Sequence, residues 1–489
     1  MKQLVYVSVL IGLLALGVMA QPELDPTGLP PVTLENSGLE VVVPSTWVNQ
    51  QEIDNNSYWE PFADMFGDGT GVVIAGVCAF MDQPDTYNSK IAVIDLDGTI
   101  HEYWAFYTDA GQPWEDNLNE SRPSGNPPRV ACSKLPGVKH YMTAQEATVY
   151  WYPEFDSDGR WTTGGYEWTQ QAAAVQILNL GPNGPEPISH LIDPIYGWNE
   201  VAGAQAGQIR FGGEVICLSN GNFISIPDDD SKNLFGFRAA TGTLFDGNTG
   251  ARLKGPFNAM IDGSSWQLWS NAAAGKDFWV VRGNGAFHIW NNDCTPRFTV
   301  PQDSVAVGLD KGRGDGTRIS ADARGTWVYL GGKAPDDMMS LSRFDVAASS
   351  EGVAGSAKEV FVNGEEYWDL NVFDRTDVAN DEYGNSCIQW YETFSSGTEQ
   401  QVARIYNSDM EPVSPIFYPY WADAWDSGTT VGYKTYQGNV AMDNHRIVLC
   451  TNGLGDNGAG GLTPAEQTFV TVVKNPLEQE VPVKEWSLY

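Results

Sequence analysis

A strand of six or seven residues that ends in Asp or Asn and breaks at a turn recurs along the chain. This repeat constrains the fold more than any other feature of the sequence. It reads Ile91-Ala-Val-Ile-Asp95 before Gly98, then residues 174–179 before Gly181-Pro182, 234–239 before Thr241-Gly242, and 286–291. It returns at 341–345, 402–407 and 469–474. The last residues of these copies lie 52 to 84 positions apart, about 63 on average. Upstream of most copies stands a pair of short alternating stretches around a tight turn. Examples are 214–226 around Asn220-Gly221, 319–330 around Asp322 and Gly325, 377–390 around Gly384-Asn385, and 440–450. Asn-Gly and Gly-Asn between alternating strands mark hairpins, because the turn backbone must reach φ > 0. Each unit therefore supplies two strands, a loop, the Asp/Asn-ended strand and a fourth strand such as residues 99–104.

Four antiparallel strands per unit, with no helical periodicity between units, predict an all-β fold: a seven-bladed β-propeller with long face loops. The count leaves six or eight blades open, and a pair of β-sandwiches is the fallback. The long first step contains an insertion at 151–168. With 42% hydrophobic and 12% aromatic residues, the chain can bury a large core. Its 28 Lys and Arg against 62 Asp and Glu give a net charge of −34, which argues against nucleic acid, anionic membranes and phosphate-rich partners.

Lys2, the apolar run from Leu4 to Val18 and the small residues Val18 and Ala20 before Gln21 read as a secretory signal peptide over 1–20, with a retained anchor as the alternative. No other stretch is long and apolar enough to span a bilayer. Residues 21–70 form an N-terminal extension rich in Pro22, Pro26, Pro30 and Pro31, which cannot join a sheet interior. Its strand at 39–43 either completes the last blade and closes the ring or pairs with the edge of a neighbouring molecule. Residues 71–489 form the propeller, whose tail at 481–486 offers either contact too. Export places Cys78, Cys132, Cys217, Cys294, Cys387 and Cys450 in oxidising surroundings. They lack CxxC spacing and sit in apolar runs, so they read as small buried hydrophobes. A Cys78–Cys450 bridge is the pairing expected if first and last blades touch. Asn55 and Asn119 match the N-glycosylation pattern.

Residues 91–98 and 320–329, with the turn at 244–250, resemble strand-turn-strand elements of the propeller superfamily with YVTN-like and quinoprotein-like blades. The resemblance covers most of 70–480 and specifies architecture. Residues 91–104 together with 214–226 are also similar to blades of the arylsulfotransferase propellers, which implies His and Arg at the centre of one face. The paired His of that family's turn motif are replaced here by Gly212-Gly213-Glu214.

Asp228, Asp229 and Asp230 form a run of carboxylates that a bound Ca²⁺ would relieve, and Asp156 with Asp158 offers a second acidic turn. In each case a solvated turn is the simpler reading. The acidic loop of Asp310 and Asp315 is weaker still. His101, His140, His190, His288 and His445 fall in different units without metal-ligand spacing, so only the fold could bring them together. His288, inside a strand, reads as packed. Aromatic residues carry the richest signal. Trp151, Tyr152, Trp161 and Trp168 cluster in the insertion, and Tyr418, Tyr420, Trp421 and Trp425 cluster near 420. Planar rings beside Asp or Asn suit sugar faces, although the same residues also fill interfaces between blades. The sequence points first to a secreted, non-catalytic propeller that binds an extracellular glycan or protein, or that assembles at a cell surface. The alternatives are a propeller enzyme acting on glycans or sulfate esters, and a structural subunit that self-associates by exchanging its N-terminal strand.

Overall fold

The computed structural model describes residues 23–24, 31–47, 58–67, 73–80, 87–95, 97–107, 111, 121–123, 129–150, 154–155, 161–162, 169–189, 209–229, 239–263, 271–283, 285–306, 317–333, 339–362, 376–393, 399–419, 439–456 and 462–479. Three strands come from the extension: β1 (Glu23–Leu24), β2 (Val32–Thr33) and β3 (Val41–Trp47). The first sheet is a meander of β4 (Tyr58–Met65), β5 (Val73–Phe80), β6 (Tyr87–Ile94) and β7 (Ile100–Trp104). The sheet system thus starts upstream of residue 71.

The second sheet is built from β8 (Ser121–Pro123), β9 (Arg129–Cys132), β10 (His140–Tyr150), β13 (Thr169–Gly181) and β14 (Gly184–Pro187). The small hairpin of β11 (Glu154–Phe155) and β12 (Trp161–Thr162) lies within its β10–β13 connection. The third sheet holds β15 (Ile209–Cys217), β16 (Phe223–Asp229), β17 (Ala239–Phe245) and β18 (Arg252–Asn258). The fourth holds β19 (Asn271–Ala274), β20 (Phe278–Gly283), β21 (Ala286–Asn291) and β22 (Pro296–Pro301).

A fifth sheet contains β23 (Thr317–Ala321), β24 (Trp327–Lys333), β25 (Met339–Ser350) and β26 (Val353–Phe361), with β1 added in parallel to β26. In the sixth, β27 (Asp377–Asn380), β28 (Ser386–Thr393), β29 (Glu399–Tyr406) and β30 (Phe417–Tyr418) carry β2 on the outer edge. The last sheet takes β31 (Asn439–Met442), β32 (Arg446–Asp456) and β33 (Leu462–Lys474) from the C-terminal part and β3 from the N-terminal part.

This arrangement is the expected all-β propeller with four antiparallel strands per blade, with one correction. The regular four-strand blade is found six times, not seven. The 121–187 sheet departs from it because β10 is eleven residues long and shares one edge between two short strands. β9 pairs its first part, at 141–144, and β8 pairs 147–149. A second correction concerns the third sheet. Its Asp-ended strand is β17, which leads to Asp246, rather than the stretch ending at Ala239. The Asp246 carboxylate accepts the backbone N–H groups of Asn248 and Thr249, and this fixes the turn there.

The core is divided among the gaps between sheets. Seven buried apolar clusters are found among the described residues, and each lies between two consecutive sheets. Ile224 and Met260 meet Trp279 and Trp290 across one gap, for example, and Tyr329 and Leu341 meet Trp390 and Tyr406 across another. Each fully buried large apolar side chain contributes roughly 1.5–3 kcal/mol, so the seams carry most of the stability. β3 closes the circle. Val43 is buried among Val448 and Val470 of the last sheet and Met65, Ala92 and Ile94 of the first. The expected closing strand therefore forms, two residues further along than the sequence suggests.

Cys132, Cys217, Cys294, Cys387 and Cys450 are free and buried. The expected Cys78–Cys450 bridge is thus corrected: Cys450 packs as a small apolar group in the seam between last and first sheets. Burial there pushes its thiol well up.

Turns between first and second strands pack against those of neighbouring sheets. Gly384 has φ +84°, and a Cβ there would sit 3.0 Å from Cδ1 of Trp327 in the fifth sheet. Asp381 caps the same turn by accepting the N–H groups of Tyr383 and Asn385. Gly384→Ala is expected to lower stability by about 1–2 kcal/mol from the left-handed backbone alone. Val43→Ala is expected to cost about 2 kcal/mol by opening the closing seam. Urea unfolding of each variant against the parent chain measures both.

Candidate functional site

The first strands of the sheets line the axis, and each touches the first strand of the next sheet. β4 neighbours β9, then β15, β19, β23, β27 and β31 follow in turn, and β31 returns to β4. Aligned from their turns, these strands place one residue each at the same level: Phe62, Arg129, Glu214, Asn271, Arg318, Asp377 and Asn439. In β4 and β15 a register shift immediately precedes this level, between Trp59 and Phe62 and between Arg210 and Glu214. The bulges set Phe62 and Glu214 in line with the other five. The level is a ring of four charged residues, two amides and one phenylalanine. Below it the walls are small, with Ala131, Ala272, Ala273, Ala274, Ser320 and Ala321 facing a cavity of about 170 Å³. Glu214, Asn271, Arg318, Asp377 and Asn439 line the same cavity.

The ring is held by its own members. Arg318 Nη1 donates to Glu214 Oε1 at 2.5 Å and to Asn271 Oδ1 at 3.0 Å. Asn439 Nδ2 donates to Asp377 Oδ2 at 2.6 Å, and the Val440 N–H reaches the same oxygen at 2.8 Å. The Ala63 N–H donates to Asn439 Oδ1 at 2.6 Å, which ties the last sheet to the first. The guanidinium of buried Arg129 lies 3.5 Å from the Phe62 ring centroid, and that of Arg318 lies 5.7 Å from it. Two arginines and two carboxyls balance each other at this level. Deeper in the cavity Lys134 pairs with Asp64, whose other oxygen accepts the Cys132 N–H at 2.7 Å.

Burial perturbs these groups. It pushes the Asp377 carboxyl up to about 7, against the pull of Arg318 and the Val440 N–H. Glu214 is also raised by burial, with Arg318 and Arg129 opposing. At Lys134 burial works to lower the ammonium's pKa, but Asp64, Cys132 and Asp322 together outweigh it and the net direction is up. Two buried carboxyls with raised pKa values beside arginine make this cavity the strongest site candidate among the described residues.

The sequence candidates fall elsewhere. Tyr418 is on β30, buried in the seam between the fifth and sixth sheets. Trp161 is on β12, which pairs with β11. Asp228 and Asp229 are on β16, paired on both edges, and so belong to a strand rather than the expected loop. Trp151, Tyr152, Trp168, Tyr420, Trp421, Trp425, Asp156, Asp158 and Asp230 lie outside the described residues. No group of three or more His, Cys, Asp or Glu placed to hold a metal ion is found among the described residues.

The described histidines stay apart. His101 meets Asp95 and His445 meets Glu478, both on exposed positions, while buried His288 accepts the Ile261 N–H at 3.2 Å. The ring residues escaped the sequence reading, which followed clusters of one residue type. A polar residue ahead of three small or apolar ones would have marked several of them: Arg129-Val-Ala-Cys, Glu214-Val-Ile-Cys, Asn271-Ala-Ala-Ala, Arg318-Ile-Ser-Ala and Asn439-Val-Ala-Met.

No family model matches the chain, and no curated protein matches it. Among solved structures it is similar to the acylaminoacyl peptidase of Pyrococcus horikoshii, with 8% identity and a TM-score of 0.43 over 87% of this chain and 53% of that one. The chain thus spans about half the length of that peptidase. It is also similar to the β-propeller domain of the Trilobed protease from Pyrococcus furiosus, with 9% identity and a TM-score of 0.38 over 81% of this chain and 91% of that one. The Pan2 WD40 domain of Neurospora crassa matches at 9% identity and a TM-score of 0.38, over 92% of this chain and 99% of that domain.

Because folding raises the Asp377 pKa, the folded state binds its proton more tightly than the unfolded chain does. Its stabilising effect is present at acid pH and is lost as pH rises from the ordinary Asp range through about 7. Asp377→Asn keeps an acceptor for Asn439 and Val440 and removes the titration. The difference in unfolding free energy between parent and variant is therefore expected to shift in the variant's favour between pH 5 and pH 8.5, as measured by urea titration at both values.

Proposed function

We propose that this is a secreted, non-catalytic propeller that binds an extracellular glycan or protein. The ring counts seven positions when the irregular 121–187 sheet is taken as a blade, and this reading treats it so. The observation that carries the reading is the preformed, charge-balanced cavity on the axis, to whose lining every inner strand contributes. Convergent polar groups fixed on rigid strands are what a binding site needs. The charged groups are held by partners: Glu214 and Asn271 by Arg318, Asp64 by Lys134, and Asp377 by Asn439. A general acid or nucleophile among them would first have to leave an ion pair or hydrogen bond. Export rests on the signal-peptide pattern of residues 1–20. Ca²⁺ at Asp228–Asp230 or Asp156–Asp158, and sugar contact by the aromatic segments, remain part of the proposal as accessory features.

A glycan array probed with the mature chain, with and without calcium, tests the reading. Retention of one glycan class is expected, and no retention under either condition overturns glycan binding.

A second reading, an enzyme acting on glycans or sulfate esters, draws on the convergence of Glu214, Asp377, Arg129 and Arg318. Product analysis after incubation with the retained glycan separates the two, since binding alone leaves the glycan intact. Assembly by strand exchange draws on β3, which packs against both the last and the first sheet. It predicts dimers or longer forms in size-exclusion chromatography that disappear when Val43 and the other β3 contacts are removed.

A further inference from the structure

The axial cavity accepts a narrow class of occupant, and its chemistry can be read from three properties. The first is size: about 170 Å³ holds on the order of ten water molecules, the bulk of a single six-membered sugar or cyclitol. The second is charge. Arg318, which lines the cavity, and buried Arg129 behind the wall balance Glu214 and Asp377, and Lys134 balances Asp64. A cation would compete with Arg318 for Glu214 and Asn271, the place where that guanidinium already sits. An anion would meet Glu214, Asp377 and Asp64. A ligand without net charge disturbs neither balance.

The third property is hydrogen-bond type. Donors and acceptors are interspersed round the ring: in order, a guanidinium, a carboxylate, an amide that carries both, a second guanidinium, a second carboxyl and a second amide. An apolar guest would displace water from these polar groups and offer no hydrogen bond in return. A hydroxyl both donates and accepts, so it can bridge the Glu214–Arg318 pair without separating it. The alanine wall of β19 gives the C–H face of such a ring a flat apolar surface.

We propose that the axial cavity is the binding site for a neutral, monosaccharide-sized polyhydroxyl group, with Glu214, Arg318, Asn271, Asp377 and Asn439 as its hydrogen-bonding ring. The proposal rests on the binding reading given above and fixes its location: the terminal sugar enters the channel. Ser320 is half-buried, lines the cavity and takes no part in the ion pairs, so Ser320→Leu fills the bore while leaving the charged ring in place.

The test is titration calorimetry of the full mature chain with glucose, galactose, mannose and myo-inositol, and with galacturonate and galactosamine as charged counterparts. At least one neutral compound is expected to bind. Its charged analogue, the Glu214→Gln variant and the Ser320→Leu variant are each expected to weaken binding by about tenfold or more. Thermal melting of each variant checks that it is folded. Should Glu214→Gln fail to fold, Ser320→Leu alone decides. Absence of saturation by every neutral compound overturns the proposal, as does tighter binding of the charged analogues. Unchanged affinity in a folded Ser320→Leu variant also overturns it. If the parent chain still retains a glycan on the array in that last case, the binding reading stands and only the axial location falls. If the array is blank as well, both fall.

Discussion

Apolar contact between neighbouring sheets is the constraint on which the rest of the structure depends. A four-stranded meander buries little by itself. Here each sheet gives both faces to its neighbours, so no sheet is complete until the one beside it is present. The consequence is circular: the last and first sheets must also meet. β3 secures that meeting by supplying the outer strand of the final sheet and burying Val43 in the seam. The extension also lays β1 and β2 along the outer edges of the fifth and sixth sheets, covering strand edges that would otherwise stay open.

Circular packing has a chemical effect at the axis. Seven first strands converge there, and the residue that each places at the ring level is forced into a small volume with the others. In this chain those residues form two arginines, two carboxyls, two amides and one aromatic ring. Their mutual hydrogen bonds span sheets far apart in sequence, as between Asp377 and Asn439 or between Arg318 and Glu214. A ring of this kind tolerates burial because every charge has an opposite charge or a donor close by. The raised carboxyls of Asp377 and Glu214 report what burial costs where that compensation is partial.

Much of the architecture was legible in the sequence. The Asp and Asn turns, the Asn220-Gly221 and Gly384-Asn385 hairpins and the strand-ended repeats correspond to observed strands because local turn chemistry fixes them. The Pro-rich extension places its short strands β1 and β2 at sheet edges, where proline's inability to donate to a ladder does no harm. Two features were not legible. Periodicity gives no sign that β10 will share its edge between β8 and β9, because pairing partners are a tertiary choice. The axial ring was hidden for a similar reason: its residues are scattered from 62 to 439 and belong to different chemical types. What they share is a position relative to the first turn of each sheet. Clustering of aromatic residues, by contrast, led to Tyr418, which the fold spends on packing between sheets.

The pairing of Val41 with Val473 links the two ends of the chain, and so bears on the order in which the molecule is made. A ribosome delivers β3 among its earliest products and β33 among its last. Until translation nears its end, the early strand has no partner, and sheets already formed stand as an open arc with one bare flank at each terminus. Closure is therefore a late, long-range step, slow by the measure of sequence separation.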